Sequence, residues 1–299
     1  MVPPPKNSLR SRFSKLGLGC GTFGREIDQA AAFAMMDYAW AHQIVHFDTA
    51  EAYGRPAGTS ESIVGAWLAS RRPPSGSLLL ATKMLRPYTP ERVEAVVTQS
   101  LKRLGLARLD LFYFHGWDEA AASPAVLGAL DQQVRSGRVG ALGASNFNVA
   151  QLERVLTMQS ESGWARIQAL QNNNNFAVRD VDAALSALCT REEVAIVTYS
   201  PLGAGFLTGK HKRTVEPGSR FDIVPDHQDI YFNDLARGRL AELEAIAART
   251  GHPAVQLAFA WAVRQPGVDC VLVGGRTLAH LDQALQGLAI DTAGIFPPA

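Results

Sequence analysis

Short apolar runs that alternate with helical patterns constrain the fold of this 299-residue chain more than any other feature. The eight predicted strands cover residues 15–20, 44–48, 78–83, 109–115, 139–144, 166–170, 195–199 and 269–273. The runs are apolar throughout, which is typical of strands that are covered on both faces. Strand-then-helix units joined by short links indicate an α/β fold, a closed parallel (β/α)8 TIM barrel with extra loop and helix elements near the C-terminus. We expect a single domain over residues 1–299.

Helix start and stop signals lie between these runs. Asp28 is predicted to cap a helix that ends near Ala41, and Thr89 with Pro90 to begin one that ends before Gly105. Further helices are predicted at 59–70, 122–135, 148–158, 181–192, 235–250, 253–264 and 278–288. The longest irregular stretch, 211–233, is predicted to be a functional loop or a mobile lid.

Composition and charge exclude several classes of function. The formal net charge is +1, so there is no electrostatic reason to expect a nucleic acid or an acidic membrane surface as partner. The three cysteines, Cys20, Cys189 and Cys270, lack the spacing of metal ligands, which favours a reduced, cytoplasmic setting. We expect no signal peptide, because the first residues have no apolar run long enough for one, and no membrane span, because no apolar run reaches about 18 residues. We therefore expect a cytoplasmic protein that binds a small molecule and no metal.

Four polar residues lie at or just after the ends of predicted strands: Asp48, Tyr53, Lys83 and His115. The carboxyl ends of barrel strands are where active sites lie, so we expect these side chains to converge. Taken singly, each has a structural explanation: a turn or cap aspartate, an interfacial tyrosine, a solvent-facing lysine and a core histidine. Together they predict a proton donor with neighbours able to tune its pKa.

Two glycine-rich segments resemble phosphate-binding loops. Residues 19–24 (GCGTFG) match G-x-G-x-x-G between a strand and a helix, which allows a Rossmann dehydrogenase as an alternative. Against it, strand–helix units continue to residue 288 without a second domain, and the glycines also suit a tight turn into a barrel. Residues 203–210 resemble a P-loop, but Ala204 and His211 break its pattern, which excludes nucleoside-triphosphate hydrolysis.

Six segments in order resemble the aldo-keto reductase family over nearly the whole chain: 18–24, 47–54, 81–83, 143–147, 199–203 and 274–276. The resemblance implies the family's barrel and its NADPH-dependent reduction of an aldehyde, ketone or sugar carbonyl. The chemistry agrees, because hydride arrival puts charge on the carbonyl oxygen and a proton must be supplied there. We expect Tyr53 to supply it, Lys83 to lower the pKa of Tyr53 from about 10, Asp48 to hold Lys83, and His115 to orient the substrate.

The resemblance also implies a bound cofactor, NADP(H), with NAD(H) left open. The cofactor-binding residues predicted in this way are Gly21, Thr22, Ser145, Asn146, Gln171, Tyr199, Ser200, Leu202, Gly203, Lys210, Gly274, Gly275, Arg276 and His280. Ser145, Asn146 and Gln171 would bind the nicotinamide carboxamide and Tyr199 would stack on its ring, while Arg276 would bind the 2′-phosphate. The predicted substrate-pocket wall contains Phe23, Arg25, Tyr88 and Trp117 beside Tyr53.

The sequence departs from the family pattern near its C-terminus and in one polar run. His280, Gln283 and Ala284 stand where such proteins usually carry Gln, Glu and Asn, which bears on the adenine contacts. The four asparagines 172–175 could form a polar loop with left-handed turns or a polar pocket wall. A different class of function, a non-catalytic barrel that senses bound nicotinamide for a partner protein, remains the alternative.

Overall fold

Parallel strands close into a barrel in sequence order, and the last strand is hydrogen-bonded to the first. The structure is a computed structural model that describes residues 9–211 and 214–296. Its strands are β1 (Leu16–Gly19), β2 (His46–Asp48), β3 (Leu79–Met84), β4 (Leu109–Phe114), β5 (Val139–Ser145), β6 (Ile167–Asn173), β7 (Ala195–Tyr199) and β8 (Val268–Val273). The predicted (β/α)8 barrel is confirmed, and the Rossmann alternative is wrong because that fold needs an open sheet.

Helices surround the barrel at the predicted places, with bounds that differ by a few residues, and two short helices lie in the stretch predicted to be irregular. They are α1 (Gln29–Ala41), α2 (Thr59–Arg71), α3 (Pro90–Leu104), α4 (Pro124–Arg135), α5 (Val149–Ser162), α6 (Ala183–Arg191), α7 (Arg220–Ile223), α8 (His227–Tyr231), α9 (Asp234–Thr250), α10 (Ala254–Val263) and α11 (Leu278–Ala289). Short 3-10 helices cover Leu9–Arg12, Glu119–Ala122 and Gly203–Thr208. In the described part of the chain, no helix is both long and apolar enough to cross a membrane.

Local capping explains where several helices begin and end. The Asp28 carboxylate accepts a hydrogen bond from the Ala31 amide at 2.9 Å, and the Thr89 hydroxyl accepts one from the Arg92 amide at 3.2 Å. Both bonds satisfy amides that have no partner within the first turn of a helix. Gly105 ends α3 with a φ of 67°, a left-handed conformation that glycine adopts without a steric penalty.

The asparagine run and the long irregular stretch differ from expectation. β6 continues to Asn173, three residues beyond the predicted end, and residues 172–175 are all buried. The alternative of a polar loop with left-handed turns is wrong, because none of these residues has a positive φ. Stretch 211–233 contains the short helices α7 and α8, and its residues 212 and 213 lie outside the described residues.

The amino end of the barrel is closed, which leaves the carboxyl end for a site. Leu9 and Phe13 pack against the small cluster inside the barrel, and the Arg12 guanidinium donates to the Asp110 carboxylate at 2.9 Å. The larger apolar core lies between the strands and the helices around them. Side chains at the carboxyl ends of the strands can therefore face a cleft.

Candidate active site

A buried ion pair lies at the carboxyl end of the barrel. Asp48 ends β2 and Lys83 lies near the end of β3, and the Lys83 ammonium forms a salt bridge with the Asp48 carboxylate. The Lys83 ammonium also donates to the Thr49 carbonyl at 2.9 Å, and the Gln171 amide donates to the second Asp48 oxygen at 2.8 Å. Lys83 is 0% and Asp48 2% exposed, so each charge relies on its protein partners rather than water. The solvent-facing alternative for Lys83 is therefore wrong.

Tyr53 and His115 lie above this ion pair, and both line a cleft. The Lys83 nitrogen is 5.2 Å from the centroid of the Tyr53 ring, within the range of a cation–π contact. The Tyr53 and His115 rings meet edge to face, with centroids 5.6 Å apart and planes at 78°. The structure thus brings together all four residues that the sequence placed at strand ends.

The pKa of Tyr53 differs in direction from the sequence-based expectation. Burial raises it above the ordinary value of 10.0, and Asp48 adds to the rise, so the lowering by Lys83 is outweighed. Tyr53 is therefore a neutral phenol at neutral pH and can donate a proton. Burial and the Lys83 charge lower the pKa of His115 to about 3, so its imidazole is neutral, with one N–H donor and one acceptor.

A cleft of about 660 Å³ extends from these residues to the loops after β7 and β8. Most of the predicted cofactor residues line it: Gly21, Thr22, Ser145, Asn146, Gln171, Tyr199, Ser200, Leu202, Lys210, Gly274, Gly275, Arg276 and His280. Gly203 is instead buried against the Tyr231 ring, where a β-carbon would lie 2.8 Å from a ring carbon. The absence of a side chain at this position allows that close packing.

Amide and hydroxyl groups are held rigidly at the end of the cleft beside His115. The Asn146 amide donates to the His115 carbonyl at 3.0 Å, and the Tyr199 hydroxyl donates to the Asn146 oxygen at 2.6 Å. The Ser145 hydroxyl donates to the Gln171 carbonyl at 2.8 Å. Asn146 has a φ of 59°, a left-handed conformation that asparagine tolerates better than most residues. These bonds fix the positions of the amide and hydroxyl groups at this end of the cleft.

Cations line the other end of the cleft, and sequence reasoning missed one of them, Arg220. Its guanidinium is 3.0 Å from the Glu26 carboxylate, and the Arg276 guanidinium donates to the Gly218 carbonyl at 2.9 Å. The segment that contains α7 is thereby tied to the loop after β1 and to the residues before α11. No local signal could have identified Arg220, because its partner Glu26 is 194 positions away in sequence.

Four residues of the predicted substrate wall lie outside the residues that line the cleft. Phe23 is 0% and Tyr88 3% exposed, so the core holds both rings. The Arg25 guanidinium is engaged by the Glu26 carboxylate and the Gly21 carbonyl, and Trp117 packs its ring against Phe147 at 5.0 Å. None of these four predicted residues is among the described residues that line the cleft, which include Glu26, Ile223 and His227 instead.

The residues that depart from the family pattern occupy different environments. His280 accepts a hydrogen bond from the Arg276 amide at 3.0 Å, and burial, followed by the charges of Arg276 and Lys210, lowers the pKa of His280. A neutral His280 can donate only through its other ring nitrogen. Gln283 lines the cleft with an amide group, whereas Ala284 is fully buried and faces the core.

Comparison with known proteins agrees with this geometry. The family model described as "Aldo/keto reductase family" matches residues 15–293. "Protein tas" of Escherichia coli is 29% identical, with 96% of this chain and 92% of that protein covered. "Uncharacterized oxidoreductase YrpG" of Bacillus subtilis is 27% identical, with coverage of 94% and 89%. "Norsolorinic acid reductase B" of Dothistroma septosporum is 27% identical, with coverage of 93% and 75%. A chain with this barrel, this cleft and a match over nearly its whole length belongs to the aldo/keto reductase family of oxidoreductases.

Proposed function

We propose that this protein interconverts an aldehyde, ketone or sugar carbonyl and the corresponding alcohol, with NADP(H) as cofactor and Tyr53 as the proton donor and acceptor. The observation that carries the proposal is a neutral Tyr53 at the wall of the cleft, in contact with the buried Lys83–Asp48 ion pair. That arrangement supplies a proton where a carbonyl oxygen gains charge and a cation beside the phenolate that results.

The residues of the cleft fit a phosphate-bearing nicotinamide cofactor. Fixed amide and hydroxyl groups lie at one end, while Lys210, Arg220 and Arg276 line the other. The cationic end is formed by the loops after β7 and β8 and by the start of α11, where barrel enzymes frequently bind phosphate. When bound, the cofactor would supply the hydride. The Ser145, Asn146 and Gln171 side chains would hold its carboxamide, and Tyr199 its ring.

The remaining steps belong to the protein. The neutral His115 can donate one hydrogen bond to the substrate oxygen and fix its direction. The Tyr53 hydroxyl gives its proton to that oxygen as negative charge develops. Lys83 stabilises the phenolate that remains, and Asp48 keeps Lys83 charged. One relative is named as a reductase of norsolorinic acid, which supports the reductive direction.

Tyr53→Phe tests the proposal. The variant loses the only hydroxyl of the four residues, so kcat should fall by about 10²–10⁴ with the best substrate from a panel of aldehydes, ketones and sugars. Cofactor affinity, measured by fluorescence titration with NADPH, should stay unchanged, because the ring is retained. A variant that keeps more than roughly a tenth of the parent kcat would show that another group supplies the proton.

A further inference from the structure

Lys83 contacts a second tyrosine ring, to which the reaction described above gives no role. The Lys83 nitrogen lies 5.9 Å from the centroid of Tyr113 and 5.2 Å from the centroid of Tyr53. Tyr113 is part of β4 and is 0% exposed. Because an ammonium within about 6 Å of a ring face is attracted by the π electrons, both tyrosines can hold the same cation.

The barrel interior leaves the Tyr113 ring little freedom to move. Its neighbours in the inner cluster are mostly alanines, and Gly143 on β5 lies directly against the ring. A β-carbon at position 143 would lie 2.3 Å from one ring carbon of Tyr113 and 2.4 Å from the next. Such distances are too short for any side chain, so glycine at 143 is a condition for this ring position. The small residues leave room for the Tyr113 ring, and their contacts with it hold the ring face in position beside Lys83.

Burial, with the nearby Asp48 carboxylate, keeps Tyr113 neutral. Burial raises the pKa of Tyr113 well above its ordinary value, and the Asp48 carboxylate raises it further. The Tyr113 hydroxyl has no hydrogen-bond partner among the described residues, and the Gln171 amide lowers the pKa of Tyr113 less than burial raises it. Tyr113 therefore offers Lys83 an uncharged aromatic ring and does not compete with Tyr53 as an acid.

We propose that Tyr113 is a positioning residue, whose ring face holds the Lys83 ammonium beneath Tyr53 during the reaction. The proposal rests on the proposed role of Tyr53 as the proton donor. It also assigns a purpose to Gly143, which makes room for the ring that holds the cation. Tyr113 acts only through Lys83 and is not expected to touch substrate or cofactor.

The first test compares two substitutions at position 113. Tyr113→Phe keeps the ring and should keep the parent kcat and pH profile. Tyr113→Leu removes the ring and should lower kcat by about 3- to 30-fold, the range that a cation–π contact supports. The titration assigned to Tyr53 should also move to higher pH, because a displaced Lys83 lowers the pKa of Tyr53 less. KM for NADPH should not change.

A second test avoids large changes in packing. Starting from Tyr113→Phe, fluorinated phenylalanines at position 113 keep nearly the same size while they withdraw π charge from the ring. We expect kcat to fall stepwise with the number of fluorines, together with the upward shift of the Tyr53 titration. Gly143→Ala should give a similar loss in the parent protein and a much smaller one in the Tyr113→Leu background.

The outcomes separate the two proposals. If fluorination leaves kcat and the pH profile unchanged, or if Tyr113→Phe behaves like Tyr113→Leu, the ring does not position Lys83 and the inference is overturned. A loss of thermal stability in Tyr113→Leu without a moved titration would assign Tyr113 a packing role alone. Failure of the proposed function would be recognised by a different measurement. Tyr53→Phe would then stay active, whichever residue occupies position 113.

Discussion

Lys83→Met should show how much stability depends on the buried ion pair. Methionine is close to lysine in length and fills the space inside the barrel, so the main change is the loss of a positive charge. Among the described residues, the Asp48 carboxylate would keep the Gln171 hydrogen bond of 2.8 Å alone, and Asp48 is 2% exposed. Removing one partner of a buried pair leaves an uncompensated charge and typically costs about 3–5 kcal/mol in the free energy of unfolding.

The pH dependence of this loss has a definite sign. Burial lowers the pKa of Lys83, but Asp48 and Tyr53 raise it more, so the net value in the folded protein is raised. The stabilisation by the charged lysine is therefore fully present below the unfolded value of about 10.4 and is lost as the pH rises through the folded value. The cost of Lys83→Met should be present in full at neutral pH and should shrink as the pH rises into strong alkali.

Urea unfolding at pH 7 measures the effect against two controls. Lys102→Met is the same substitution at an exposed position of α3 and should change stability by no more than about 0.5 kcal/mol. Lys83→Met combined with Asp48→Asn removes both charges and should cost less than the sum of the single changes, with a coupling of about 1–3 kcal/mol. A Lys83→Met cost no larger than that of Lys102→Met, or single costs that simply add, would mean that the buried ion pair does not stabilise the fold.

Two further predictions concern the cationic end of the cleft. Arg276→Ala should weaken NADPH binding by roughly 10–100-fold, because it removes a charge-assisted contact. The affinity for NADH should stay nearly unchanged. Parallel losses of both affinities in fluorescence titrations would mean that the 2′-phosphate is bound elsewhere. NADPH should slow protease cleavage between residues 214 and 233, and Glu26→Gln, which removes the negative charge that pairs with Arg220 at 3.0 Å, should speed cleavage without cofactor. Equal cleavage in all samples would remove the lid interpretation.

The sequence by itself determined the elements and their order. Apolar runs without alternation predicted strands buried on both faces, and residues such as Asp28, Thr89 and Gly105 predicted helix ends through contacts within one turn. Since parallel strands in a closed barrel share one carboxyl end, the positions of Asp48 and His115 at strand ends were enough to predict convergence. These signals depend on residues close together in sequence, so they can be recognised without knowledge of the tertiary structure.

Only the tertiary structure decided which groups are exposed and in which direction their pKa values move. Phe23 reads as a pocket residue in the sequence but is 0% exposed, and Lys83 brings the pKa of Tyr53 down less than burial brings it up. The contact between Arg220 and Glu26 spans 194 positions and has no sequence pattern. The exposure and the pKa of a side chain depend on atoms from many helices and strands. These atoms come together only when the barrel has formed.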